Sequence, residues 1–157
     1  MFGELMERLR GRRFGVVGVG NVFRGDDGAG PELIRMMEGR FGLPMVDAAE
    51  VPENYGGWVA KMGLEAVVFF DAVEFGGRPG EIRIIPLQKL MLSATTTHNL
   101  SLHYVILYLE QEWGGEAILV GIEPKSLELD AGLSAEVREG VEKLAEALVE
   151  AAGNGRP

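Results

Sequence analysis

Apolar residues gather in five short strand-like runs, Phe14–Val19, Met45–Ala49, Ala66–Ala72, Glu81–Pro86 and Ala117–Ile122, mostly separated by segments with helical spacing. The spacing predicts helices over Glu4–Arg10, Gly30–Gly39, Tyr55–Met62, Leu100–Glu112 and Ser134–Ala152. The last carries Val137, Val141, Leu144 and Leu148 on one face, with Ser134 placed to cap its start. Strands alternating with helices indicate an α/β fold. Only Val73–Gly80 separates the third and fourth strands, and it holds Gly76, Gly77, Pro79 and Gly80. A parallel partner needs a connection of about a dozen residues or more, so the fourth strand is expected to run antiparallel to the third. No repeat or internal linker interrupts the pattern, so residues 1–157 read as one domain with a frayed tail from Gly153.

Composition narrows the function. With 157 residues, 46% of them hydrophobic and 25% charged, the chain can bury a core, which argues against disorder. No apolar run approaches the roughly 18 residues of a membrane span, and Met1–Arg13 has no continuous apolar stretch of the signal-peptide kind, so a cytoplasmic protein is expected. A formal charge of −9 would repel a phosphate backbone, and the only basic cluster is Arg10, Arg12 and Arg13; nucleic acid is not an expected partner. The absence of cysteine removes disulfides, zinc–thiolate sites and a cysteine nucleophile, leaving His, Asp and Glu to hold any metal. Ser93, Ser101, Ser126 and Ser134 lie in no Gly-x-Ser-x-Gly elbow, which speaks against serine catalysis.

The loop Gly18-Val19-Gly20-Asn21-Val22-Phe23-Arg24-Gly25-Asp26-Asp27-Gly28-Ala29-Gly30 leaves the first strand and enters a helix, where a dinucleotide fingerprint would sit. Phe23 occupies its third glycine position, and two adjacent carboxylates stand where a pyrophosphate needs positive potential. The pair favours a cation. Capping of the helix that contains Pro31 explains one acid but not both. Asp71 closes the apolar run from Ala66, at the carboxyl end of a central strand, where open α/β sheets bind ligands. His98 stands at the entrance of the Leu100 helix on the same edge. His103, about 140° further round that helix, forms no i, i+4 histidine pair with it and reads as helix surface or packing. Asp27, Asp71 and His98 thus each bring one hard or borderline metal ligand to one edge. Asp47 ends the second strand there too, either supporting the site or forming a turn with Glu50 and Pro52.

In order and spacing, Gly18-Val19-Gly20-Asn21, Asp26-Asp27-Gly28-Ala29-Gly30, Phe70-Asp71-Ala72, Thr96-Thr97-His98-Asn99 and Val120-Gly121-Ile122-Glu123-Pro124 resemble the hydrogenase maturation endopeptidases, over nearly the whole chain from about Gly15. Pro79-Gly80-Glu81-Ile82-Arg83-Ile84-Ile85 and the Thr-Thr-His-Asn stretch are most similar to the group that processes the hydrogenase 3, or formate hydrogenlyase type, large subunit. The resemblance implies a three-layer αβα sandwich on a mixed five-stranded sheet with one antiparallel strand. It implies an endopeptidase that removes the C-terminal extension of the NiFe-hydrogenase large-subunit precursor after nickel insertion. It also implies that Asp27, Asp71 and His98 are the catalytic and metal-contacting residues, with Asn21 and Asp47 contacting substrate. Nickel would arrive with the precursor, so no tightly held cofactor is expected, and the protein would act as a monomer. A non-catalytic nickel-binding chaperone is the alternative use of the same three ligands. The chain departs from its relatives after Asp47, where Ala48 and Ala49 stand in place of glycines, and Met1–Arg13 precedes the motifs with no function assigned.

Overall fold

The computed structural model describes residues 2–90 and 95–153; Ser93 and the tail after Gly153 lie outside that range. Among these residues five strands, β1 (Phe14–Gly18), β2 (Met45–Asp47), β3 (Ala66–Ala72), β4 (Ile82–Ile85) and β5 (Glu116–Ile122), form one sheet in the order β2-β1-β3-β5-β4. The first three and β5 are parallel, and β4 is antiparallel to β5. Among the described residues, five α-helices cover the sheet: α1 (Gly3–Leu9), α2 (Ala29–Met37), α3 (Gly56–Lys61), α4 (Asn99–Glu112) and α5 (Ala135–Gly153).

The layering follows from the two-residue period of the strands. Phe14 and Val16 of β1, with Ala66, Val68 and Phe70 of β3, face a core shared with α1, α2 and α5, whereas Val17, Val67 and Phe69 face a second core with α3 and α4. Both faces of the central strands are covered, which is why every residue of β1 and β3 is buried and their sequences read as continuous apolar runs. In α5, Val137, Val141, Leu144 and Leu148 are fully buried, as the spacing predicts.

Two expectations are refined. β4 runs opposite to β3 in direction, but its hydrogen-bonded neighbour is β5, which pairs along all seven residues of β3. The apolar β5 takes the doubly covered position, while β4, with Arg83 exposed, suits the edge. Each of Arg10, Arg12 and Arg13 has a partner within the chain. Arg12 donates to Glu116 at 2.7 Å and to the Glu65 carbonyl, Arg13 to the Met62 carbonyl, and Arg10 pairs with Glu7.

Strand order reverses between β1 and β3, because the chain passes from β1 to β2 on one side and returns to β3 on the other. The carboxyl ends of these two strands therefore open a crevice at the switch point. Gly30 lets α2 start against it: a Cβ there would lie 2.2 Å from the Val19 carbonyl oxygen and 2.7 Å from that of Phe70.

Candidate active site

Asp27 lies in a 3-10 turn, Gly25–Gly28, that leads from β1 into α2; Asp71 is the penultimate residue of β3; His98 is the residue just before α4. All three are buried, at 1%, 0% and 4% exposure, and each offers a ligand atom within 4.8 Å of the others. These three residues would hold a metal ion, should one bind. Among the described residues this is the one such grouping of three.

The Thr96 hydroxyl donates to Asp71 Oδ2 at 2.5 Å, and His98 Nδ1 lies 3.2 Å from the same oxygen. Thr96 Oγ1 also accepts the His98 backbone N–H at 3.1 Å, tying the acid to the start of α4. Asp71 Oδ1, in contrast, is buried and has no partner among the described residues. A buried carboxylate oxygen left bare is costly unless a cation meets it, so the donor set fits a metal ion. On the far side of the imidazole, His98 Nε2 lies 3.2 Å from Glu50 Oε1, and Asn21 Nδ2 donates to Glu50 Oε2 at 3.3 Å. Asn21 also donates its backbone N–H to Asp27 Oδ2 at 3.1 Å.

Burial pushes the carboxyls of Asp71 and Asp27 above the usual carboxylate range, partly offset by the charge of His98. For His98, burial works against the charged ring. The hydrogen bond and charge of Asp71, the charge of Asp27 and the bond to Glu50 outweigh it, and its pKa is pushed up to about 9. At neutral pH the His98 ring is therefore held as an imidazolium.

Asp26 turns the other way. Its carboxylate, fully buried, accepts the backbone N–H groups of Lys125, Ser126 and Ser134 and the Ser134 hydroxyl, at 2.7–3.1 Å. Neither acid caps α2, which has no side-chain cap bond, so the capping expectation is corrected for both. Ser134 does precede α5, and its carbonyl accepts the Arg138 N–H, but its hydroxyl serves Asp26 and not the helix. Asp47 is exposed, and its Oδ1 accepts the Ala49 N–H at 2.8 Å, which is the turn role and not a share in the cluster. Ala49 has φ 48°, the left-handed region that glycine fills most readily. His103 is exposed on α4 and lines a separate groove of about 690 Å³ beside β4. That groove is larger, but none of Asp27, Asp71 and His98 lines it; Asp27 lines a smaller cleft of about 140 Å³ together with Thr95, Thr96, Thr97, Pro124 and Leu127.

Glu50 and Thr96 are participants that the sequence reading did not single out. Glu50 was legible only as a turn residue three positions after Asp47. For Thr96, the signal was a hydroxyl two residues ahead of a histidine at a helix start.

A family model described as hydrogenase maturation protease matches residues 30–151, a span that includes Asp71 and His98 and begins three residues after Asp27. The chain is 33% identical over 140 residues to the hydrogenase 3 maturation protease of Escherichia coli strain K12, covering 87% of this chain and 89% of that protein. Among solved structures, it superposes with a TM-score of 0.86 and 33% identity on a NiFe-hydrogenase maturation protease from Thermococcus kodakarensis KOD1, covering 96% and 99% of the two chains. An endopeptidase of the same type from Escherichia coli gives a TM-score of 0.79 at 32% identity, covering 90% and 92%.

Proposed function

The chain belongs to the hydrogenase maturation protease family, and from that premise we propose that it removes the C-terminal extension of a NiFe-hydrogenase large-subunit precursor, recognising it through nickel the precursor already carries. The observation that carries this reading is the buried convergence of Asp27, Asp71 and His98 around a carboxylate oxygen with no partner among the described residues.

Two carboxylates and one imidazole hold a borderline ion weakly on their own. An ion already bound by softer donors of the precursor would gain these three as additional ligands, so that the complete site is shared between enzyme and substrate. Asp27 and Asp71 then serve twice: as ligands, and as the groups that can take a proton from a water attacking the scissile carbonyl and return it to the departing amine. Asn21 and Asp47 flank the site as substrate contacts, Asn21 through its bond to Glu50 and Asp47 from the exposed rim. No helix among the described residues is long and apolar enough to cross a membrane. We place the reaction in the cytoplasm, with the protein acting as a monomer.

The test is to incubate the protein with nickel-loaded and nickel-free precursor and follow precursor mass. Shortening at the C-terminus of the loaded form alone, unaffected by serine- or cysteine-directed reagents, is the expected result. Equal cleavage of both forms in the presence of a chelator would remove nickel from the recognition, and binding without shortening would favour the chaperone.

A further inference from the structure

Asp26 spends a fully buried carboxylate on the backbone of a distant loop. Its four donors all come from Lys125, Ser126 and Ser134, about a hundred residues away in sequence. The attachment is reciprocated: the Asp26 N–H donates to the Ser126 carbonyl at 2.8 Å, the Asp130 N–H to the Phe23 carbonyl at 2.8 Å, and Arg24 forms an antiparallel bridge with Leu129. Gly25, with φ +55°, permits the approach, since a Cβ there would lie 2.6 Å from the Ser126 carbonyl oxygen. The loop after β1 and the loop after β5 are thus joined by hydrogen bonds from both sides.

The joined pair borders the smaller cleft on one side and solvent on the other. Asp27 from the first loop, and Pro124 and Leu127 from the second, line the cleft. From the same two loops Phe23, Leu129 and Val22 stand 67%, 73% and 49% exposed. Large apolar side chains held out on a preorganised backbone lose little entropy on meeting a partner.

We propose that this Asp26-clamped loop pair is the surface on which the precursor docks, with Phe23 and Leu129 taking apolar surface of the precursor next to the tail that enters the cleft. The occupant follows from continuity with the cleft: Leu129 stands two residues from Leu127 and Phe23 four from Asp27, so the exposed pair borders the cleft that the precursor's tail would enter. The inference rests on the proposed cleavage of the precursor and adds to it the surface that selects the substrate. Asp26 acts in it as a positioning residue, through the loops and not on the reacting atoms.

The experiment measures steady-state cleavage of nickel-loaded precursor by wild type, Phe23→Ser, Leu129→Ser, Asp26→Asn and, as a control at an exposed apolar position on α4, Leu107→Ser. Nickel affinity of each free protein is measured alongside. Phe23→Ser and Leu129→Ser are expected to raise KM about tenfold, with kcat falling less than twofold and nickel affinity unaltered, while Leu107→Ser matches wild type. Asp26→Asn should raise KM and speed amide hydrogen exchange at Lys125 and Ser126. Because the two serine variants change only exposed side chains, they decide the matter even if Asp26→Asn fails to fold. Wild-type KM in both serine variants, or an equal rise in Leu107→Ser, would overturn the proposal while leaving the cleavage reading intact. A wild type that never shortens the precursor would overturn the cleavage reading itself.

Discussion

His98 has a carboxylate against each ring nitrogen, and this decides how the site answers to pH. With its pKa pushed up to about 9, the ring is protonated at neutral pH and must lose a proton before it can bind a metal. Nickel affinity of the free protein should therefore rise roughly tenfold per pH unit between about 6.5 and 9. Titration calorimetry in two buffers of different ionisation enthalpy should show close to one proton released per ion at pH 7. The stability linkage has the opposite sense. Because the folded-state pKa lies above the ordinary value of 6.5, the contribution of His98 to stability is complete below about 6.5 and is lost as pH rises through about 9. His98→Ala should accordingly lower the melting temperature more at pH 6 than at pH 9.5. At this scale the sequence was informative about residue identity but silent about direction. Asp26 and Asp27 are adjacent and alike, yet one carboxylate enters the site and the other clamps a loop.

The elements hold the site through close backbone approach more than through side-chain packing. Where α2 starts, a Cβ on Gly30 would meet the Val19 N and O and the Phe70 O, all backbone atoms that cannot swing aside. Gly30→Ala should cost at least about 3 kcal/mol in a urea melt, as overpacking against fixed atoms does. Gly42→Ala, where nothing lies within 4 Å, should change stability by less than about 0.5 kcal/mol. Strand and helix positions were legible because hydrophobic period is local; β3 falls at Ala66–Ala72 as read, and α4 and α5 begin within one residue of their expected starts. The neighbour of β4 was not, because loop length limits direction but does not say which strand will insert between two others.

Across the whole molecule, α1 joins the chain's beginning to its end: Leu5 and Leu9 are buried in the core that α5 lines, while Arg8 and Arg12 reach Glu116 at 2.6 and 2.7 Å. The ion pairs are partly exposed, so the apolar contacts should dominate. Leu9→Ala is expected to cost about 2–5 kcal/mol in a urea melt, and Arg8→Ala less than about 1 kcal/mol. The segment before the motifs, which suggested no function in the sequence, thus contributes to the fold through Leu5, Leu9, Arg8 and Arg12. By itself the sequence determined the α/β class, the placement of the strands and the residue types open to metal ligation, because apolar period and residue type act over short distances. It left no cysteine and only two histidines, so metal chemistry had to rest on His and acids. The tertiary structure alone decided that β5 lies between β3 and β4, that Glu50 and Thr96 hold His98 and Asp71, and that Asp26 closes a loop 100 residues away. Each of these depends on which distant atoms meet across the sheet's edge, and side-chain direction there is set by packing that no local pattern encodes.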